Sequence, residues 1–263
     1  MMKMLHNLIF HLVTVSPWPI LSSFSVMSTM IGGIMLFNDK FIYLMNLGFL
    51  SIILCSIQWW RDVIREGTFQ GSHLSRVVEG LKLGMVLFIL SEVMFFLSFF
   101  WTFFHSSLSP NIEVGGIWPP SNILQFDPFQ LPLLNTVILL SSGVLVTWSH
   151  YSILNSDNEG SQVGLLGTIM LGMVFSMIQF MEYYEATFSM SDSVFGSIFF
   201  LTTGFHGGHV IIGSIFLLVI LIRLSYNHLN KFHHFGFEAA SWYWHFVDVV
   251  WIFVYILVYW WHW

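Results

Sequence analysis

The stretch LFILSEVMFFLSFFWTFFH, residues 87–105, is apolar or aromatic apart from a few hydroxyl groups, a final histidine and one acid, Glu92. A run of about 20 such residues is what a helix needs to cross the hydrocarbon core of a bilayer. Similar runs recur along all 263 residues of the chain, of which 56% are hydrophobic and only 8% are charged. Because soluble domains carry about 25% charged residues, this composition predicts a polytopic membrane protein.

Polar breaks divide the chain into seven apolar windows, which predicts an all-α protein with seven transmembrane helices. The breaks contain Asn, Asp, Gly, Ser and Pro, which favour turns. No linker, low-complexity tract or internal repeat interrupts the pattern, so we expect a single membrane domain over residues 1–263. The predicted helices lie near residues 17–37, 42–64, 74–107, 130–154, 160–184, 193–225 and 235–262.

Cationic residues are distributed unevenly between the two sides of the predicted bundle. Seven of the eight Lys and Arg residues fall on the side of the N-terminus, and only Lys40 falls on the other side. Positive charge stays on the side where a membrane protein is synthesised, so we expect the N-terminus there and the C-terminus opposite. The seven are Lys3, Arg61, Arg65, Arg76, Lys82, Arg223 and Lys231.

Composition also argues against several classes of function. The net charge of −6 and the lack of a basic cluster give no support for a nucleic-acid partner. Cys55 is the only cysteine, so the chain can form neither an internal disulfide nor a metal site of several thiolates. The first residues lack an Arg/Ser-rich transit peptide and a small-residue cleavage site, so we expect insertion without a removable presequence.

Glu92 is the only charged residue between Lys82 and Glu113, and it falls close to the middle of predicted helix 3. An ionised carboxylate at that depth costs roughly 2.5–3.5 kcal/mol on insertion scales. We therefore expect Glu92 to be protonated or paired with a group on another helix. It is either an acid that fixes helix 3 to its neighbours or a proton-linked functional site, and both interpretations remain open.

Predicted helices 6 and 7 each carry a stripe of polar residues at helical spacing. Such stripes must face protein rather than acyl chains, so we expect helices 3, 6 and 7 to share a hydrogen-bonded interior. Glu92 is then expected to lie near His209. A second candidate partner is the helix 7 pair of His245 and Asp248. The stripes consist of Thr202, His206, His209 and Gly213 on helix 6 and of Glu238, Ser241, His245 and Asp248 on helix 7.

Histidines in or at the ends of the spans raise the question of a metal or haem site. Haem-binding bundles pair their histidine ligands across helices at matched depth, whereas these histidines are irregularly spaced and stand beside acids. That arrangement is typical of a hydrogen-bonded network, so we expect no metal and no cofactor on this chain. The histidines are His105, His150, His206, His209 and His245.

The end of helix 2, IQWWRDVIREGTFQGSH, combines tryptophans for the headgroup region with Arg61 and Arg65 just beyond them. Trp59, Trp60 and the arginines are either a simple interface anchor or a site for a lipid phosphate. Arg223, His228 and Lys231 lie on the same side and could contribute to such a site.

Acids without Lys or Arg mark the loops on the opposite side. This surface either reflects the exclusion of positive charge or attracts a basic soluble partner. The acids are Glu113, Asp127, Glu182, Glu185 and Asp192.

These stretches together resemble the family of subunit III of cytochrome c oxidase, in its mitochondrial form. The resemblance is a series of motifs in order, which covers nearly everything from residue 16 to residue 261 and is highly specific as a set. The motifs include SPWP at 16–19, QWWRDVIREGTFQGSH at 58–73, SEVMFFLSFFWTFFHSSLSP at 91–110, WPP at 118–120, PLLNTVILLSSG at 132–143, EYYEATFSMSDSVFGSIFFLTTGFHGGHVIIG at 182–213 and HHFGFEAASWYWHFVDVVWIFVY at 233–255.

The resemblance implies a two-helix bundle and a five-helix bundle with phospholipid in the cleft between them. It implies a non-redox core subunit of an enzyme complex, beside haem–copper subunit I, subunit II and small accessory subunits, with haem a and copper held by those partners. The implied roles are stabilising the catalytic subunit, supporting proton uptake and shaping the route of oxygen. The implied location is the mitochondrial inner membrane, with the N-terminus in the matrix and the C-terminus toward the intermembrane space.

The resemblance also assigns residues. The acid that matches Glu92 reacts with hydrophobic carbodiimides in that family, which implies a protonated, accessible group. The positions that match Trp59, Arg65, His73, Arg223 and His228 hold lipid headgroups.

Three other classes are compared with this interpretation. The first class is a seven-helix receptor or retinal protein. A retinal protein needs a lysine in its last helix, but no lysine follows Lys231, and a receptor usually needs an extracellular disulfide, which a single cysteine cannot form. A proton-coupled secondary transporter would be expected to show inverted repeats and broken helices, which the seven spans lack. The equivalent subunit of a bacterial or quinol-type oxidase stays an alternative, although the short N-terminus favours the mitochondrial form.

Overall fold

The computed structural model describes residues 11–112, 115–121, 123–261 and 263. Lys3 and Glu113, which entered the sequence analysis, lie outside the described residues. Seven helices in the described chain are long and apolar enough to cross a membrane, which confirms the predicted all-α class and helix number. They are α1 (Trp18–Asp39), α2 (Tyr43–Thr68), α3 (Ser75–Leu108), α4 (Leu131–Leu154), α5 (Asn158–Glu185), α6 (Val194–Ser225) and α7 (Phe235–Val254).

Helix boundaries differ from the predicted ones mainly at two places. Helix α2 was expected to end near residue 64 but continues to Thr68, because its last turn contains no helix-breaking proline and Arg65 O accepts from Phe69 N. The last helix was expected to run to residue 262. It is α-helical only to Val254 and continues as a π-helical turn over Tyr255–Trp260, while residue 262 lies outside the described part.

The chain divides into two compact units, Met1–Leu81 and Lys82–Trp263. The first holds α1 and α2, which pack closely because small residues meet at their interface. A Cβ on Gly32 would clash with the backbone of Met45, and one on Gly48 would clash with Thr29. Small residues of this kind let membrane helices approach each other without a hydrophobic driving force.

The second unit is built around α7, whose apolar window is 56% buried against 6% for α3. Trp244 and Trp251 on α7 are fully buried, which places the centre of the core along this helix. Helices α4 and α5 form an antiparallel pair in which Ser149 Oγ donates to Ser161 O at 2.8 Å. The polar stripe of α7 faces the interior only in part: Ser241 and Asp248 are buried, whereas the side chain of His245 is 41% exposed.

Candidate functional site

The acid at the middle of α3 forms a direct hydrogen bond with α6. Glu92 Oε2 lies 2.8 Å from His209 Nε2, so the contact expected between these side chains is present. His209 Nδ1 also lies 2.6 Å from the carbonyl oxygen of Phe205, one helical turn earlier. Both ring nitrogens of His209 therefore have partners.

These two contacts, taken as hydrogen bonds, limit where the protons of the pair can lie. A carbonyl oxygen can only accept, so Nδ1 of His209 carries a proton and donates it to Phe205 O. One further proton lies between Nε2 and Glu92, either on the carboxyl oxygen or on the ring. In both arrangements the net charge of the pair is zero, which explains how an acid is tolerated in an apolar span.

Aromatic rings surround the pair. The ring of Phe96 lies 5.1 Å from that of His209, and those of Tyr243 and Phe246 lie 6.2 and 6.3 Å away. The side chains of Glu92 and His209 are 23% and 13% exposed in this chain, so the rings enclose the pair only in part.

His206 is fully buried and makes a different contact. Its Nε2 lies 3.1 Å from the carbonyl oxygen of Val247 on α7, and its ring lies 5.0 Å from the ring of Trp251. Since the carbonyl accepts, Nε2 carries the proton. His206 therefore joins α6 to α7 but is not hydrogen-bonded to Glu92, so the two histidines of the α6 stripe act at separate points.

The α7 pair of His245 and Asp248 lies against α4. His245 Nδ1 is 3.6 Å from Asp248 Oδ2, and Asp248 is only 5% exposed. A Cβ on Gly143 of α4 would lie 2.5 Å from that same carboxylate oxygen, so only glycine allows this approach. The predicted interior of helices 3, 6 and 7 therefore also includes α4.

Two indole hydrogen bonds hold α7 on α4, and sequence reasoning missed both. Trp244 Nε1 donates to Ser142 Oγ at 2.9 Å, and Trp251 Nε1 donates to Thr136 Oγ1 at 3.0 Å. Both acceptors are hydroxyls on a helix that reads as ordinary apolar sequence. The available signal was spacing: the two tryptophans are seven residues apart on α7, and the two hydroxyl residues are six apart on α4. Such similar spacings fit two antiparallel helices in contact.

A salt bridge joins the start of the second unit to α7. Lys82 Nζ lies 2.7 Å from Glu238 Oε2, and the two side chains are 40% and 19% exposed. In the sequence, Lys82 indicated only the orientation, and Glu238 was expected only as part of the α7 stripe. The shared signal was that both charges lie at the same end of their helices.

The acidic surface expected on the far side does not include Glu182. This residue is fully buried in α5, where Gln179 Nε2 donates to its Oε2 at 3.1 Å. The prediction was wrong because Glu182 lies in the last turn of α5, on the face that points into the bundle. Asp192 is in a turn outside the helices, where the Ser189 N–H, 2.7 Å away, holds the pKa of its carboxyl below the usual range.

In the first unit, the end of α2 forms a cavity of about 110 Å³ that Trp59 and Arg65 help to line. The neighbouring acids are engaged: Asp62 accepts from Trp18 at 2.7 Å and from Arg61 at 3.0 Å. Arg65, by contrast, has no carboxylate partner among the described residues. Its guanidinium is available to an anion at this surface.

The other expected lipid-binding residues occupy varied positions. In the first unit, Trp60 is 65% exposed, and the ring of His73 lies 6.1 Å from that of His11. In the second unit, Arg223 lies against the first turn of α7, and His228 stacks on Tyr226 with their centroids 5.9 Å apart. Two separate cationic groups are therefore present, one in each unit.

Comparisons with known proteins identify the family. The sequence model of cytochrome c oxidase subunit III matches residues 6–263. Cytochrome c oxidase subunit 3 of Drosophila yakuba is 58% identical over 252 residues, which cover 96% of both chains. The same protein of the tick Rhipicephalus sanguineus is 57% identical over 96% of this chain and 98% of its own, and that of the ostrich Struthio camelus is 56% identical over 96% and 97%. The chain therefore belongs to the cytochrome c oxidase subunit III family.

Proposed function

We propose that this chain acts as a non-redox core subunit whose Glu92–His209 pair holds a proton inside the membrane. Family membership makes it a subunit of the complex IV oxidoreductase. The observation that carries the proposal is the 2.8 Å contact between Glu92 and His209, with the second ring nitrogen donating to Phe205 O. Such a pair can shift its shared proton between oxygen and nitrogen without a change in net charge.

The hydrogen bonds of the intramembrane histidines support the non-redox part of the proposal. Both nitrogens of His209 are engaged, and Nε2 of His206 is bound to Val247 O, so the one unpaired nitrogen of these two residues is Nδ1 of His206, which is fully enclosed by protein. A haem ligand needs a free ring nitrogen aimed at the iron. We therefore assign haem a and copper to the partner subunits, with subunit I as the main neighbour beside subunit II and small accessory subunits. In that assembly the chain stabilises subunit I and supports its proton uptake and oxygen access.

The proposed location follows from the family and the charge distribution. The family and the seven apolar helices indicate an inner-membrane protein. We infer that the N-terminus faces the mitochondrial matrix and the C-terminus faces the intermembrane space. The seven-to-one distribution of Lys and Arg between the two sides supports this orientation.

A comparison of the complete complex with one depleted of this chain tests the subunit's role. We expect a haem a spectrum that stays with the large partner after depletion, together with activity that decays faster during turnover. A spectrum that leaves with this chain would contradict the non-redox assignment. A chain that purifies without any haem-bearing partner would instead favour the transporter alternative.

We also propose that the two cationic groups, one in each unit, hold the phosphates of structural phospholipids. The residues are Trp59, Trp60, Arg65, His73, Arg223 and His228. The exposed guanidinium of Arg65 beside Trp59 supports this, because a planar guanidinium binds phosphate with two parallel hydrogen bonds.

Native mass spectrometry of the assembled complex can test the lipid proposal with a matched pair of variants. We expect Arg65→Gln to lose bound phospholipid. Arg61→Gln should retain it, because Arg61 is already paired with Asp62 at 3.0 Å. Equal lipid content in both variants and in the unmodified complex would contradict the role of Arg65.

A further inference from the structure

We propose that His150, His234 and Glu238 form a binding site for one divalent transition-metal ion, and that zinc suits it best. The inference is independent of the proposed function, since none of these three residues is used there. The possible ligand atoms, one from each residue, all lie within 4.8 Å of one another. Tetrahedral zinc ligands at 2.0–2.1 Å from the ion are roughly 3.3 Å apart, so small side-chain rotations would close the site.

His234 is already oriented as a metal ligand. It is buried at the N-terminus of α7, and its Nδ1 donates to Asn230 O at 3.0 Å. The lone pair is therefore on Nε2, which lies 3.8 Å from Glu238 Oε1. Metal-binding histidines characteristically donate their other ring N–H to a carbonyl or carboxylate, which fixes the tautomer and the ring.

His150 supplies the second imidazole from α4. Its Nε2 is buried and has no hydrogen-bond partner in the part of the chain that the structure describes. Its ring lies 5.5 Å from that of His234 and stacks at 5.4 Å on Phe237. A buried nitrogen without a partner is unfavourable, and an ion between the two rings would satisfy it.

Glu238 divides its two oxygens between two directions. Oε2 lies 2.7 Å from Lys82 Nζ, whereas Oε1 is the oxygen that faces His234. Two imidazoles and one carboxylate form a known ligand set for zinc, with a fourth position left for water. This set contains no sulfur ligand, so it does not favour the redox couples of copper thiolate sites.

Lys82 competes with the metal ion for Glu238, because an ammonium group near the carboxylate repels a second cation. Its side chain is 40% exposed and can swing away from Glu238. Bound zinc would thus replace an ion pair between α3 and α7 with a link between α4 and α7. The ion would enter from the membrane side that carries Arg223, since that residue lies against Gly236 in the same turn of α7.

Equilibrium binding of radioactive zinc to the purified oxidase complex, after treatment with a chelator, tests the proposal. We expect His150→Gln and His234→Gln each to lose one bound zinc per complex. The control His233→Gln removes an imidazole from the same segment but outside the cluster, and it should bind as the unmodified complex does. Unchanged zinc stoichiometry and affinity in both cluster variants would overturn the proposal.

A second variant keeps the test decisive if the histidine variants fail to assemble, which their haem spectrum would show. Lys82→Met removes the competing charge, and we expect zinc to bind at least about threefold more tightly. A purely structural cluster would give no such gain. Weaker or unchanged zinc binding in an assembled Lys82→Met complex would therefore overturn the proposal on its own.

Discussion

Replacing Glu92 with Gln tests whether the pair with His209 is a neutral hydrogen bond. Since His209 Nδ1 donates to Phe205 O, its Nε2 offers a lone pair to a donor at position 92. The amide N–H of Gln can donate there much as a carboxylic acid does, in a side chain of nearly the same shape. We expect Glu92→Gln to keep the contact, to cost less than about 1 kcal/mol of stability and to leave oxidase activity largely intact.

Glu92→Ala is the matched variant that removes the contact. It leaves Nε2 of His209, whose side chain is only 13% exposed, without a donor. Such a loss costs about 1–3 kcal/mol. If Glu92 and His209 formed an ion pair instead, Glu92→Gln would no longer be the milder variant. It would leave a largely buried imidazolium without its counter-charge, at a cost of about 3–5 kcal/mol. Gln would then destabilise the chain at least as much as Ala does.

Thermal denaturation of the assembled complex shows which of the two variants is more stable, and oxygen consumption measures their oxidase activity. Infrared spectra supply an independent observable, the carbonyl band of a protonated carboxyl group that Glu92→Gln should abolish. A total loss of activity in a fully assembled Glu92→Gln complex would refute the reasoning. So would a Gln variant that is no more stable than the Ala variant.

Three further outcomes are expected. Gly143→Ala should destabilise the complex by about 1–3 kcal/mol, because its Cβ would meet the buried carboxylate of Asp248. The control Gly84→Ala, which has open space around it, should leave the thermal stability unchanged or raise it in the same assay. Trp244→Phe should cost at least about 1 kcal/mol in that assay through the lost indole bond to α4, and an unchanged midpoint would contradict it. Because the pKa of Asp192 is lowered, its carboxylate should keep accepting the hydrogen bond from Ser189 N–H until the pH falls below the usual aspartate range. Amide hydrogen exchange at Ser189 measures this, and an exchange rate that rises already within the usual aspartate range would contradict it.

Much of the fold could be predicted from the sequence, since apolar runs of membrane length leave few other structures. The Glu92–His209 contact could also be predicted, because one acid in an apolar span needs a partner and the α6 stripe offers few. The choice between His209 and the His245/Asp248 pair required coordinates. It depends on how α3 and α7 are rotated, which hydropathy does not specify.

The contacts of α4 could not be predicted for a physical reason. Ser142, Gly143 and Thr136 are ordinary residues of an apolar helix, and they gain significance only where α7 approaches them. For Glu182 the same limit led to the opposite error, since a buried residue was expected at the surface. An acid in the last turn of a helix reads as a surface charge, although this one faces Gln179 in the interior.

The sequence distance between Glu92 and His209 has a consequence for biosynthesis. The partners are 117 residues apart, and α3 enters the membrane before α6 has been made. At about 5–20 residues per second, the acid waits roughly 6–23 s for its histidine. During that interval it must carry its own proton or borrow a partner from another protein. The half-inserted nascent chain is therefore the stage at which a hydrophobic carboxyl reagent should label Glu92 most readily, and labelling should fall once α6 has been inserted.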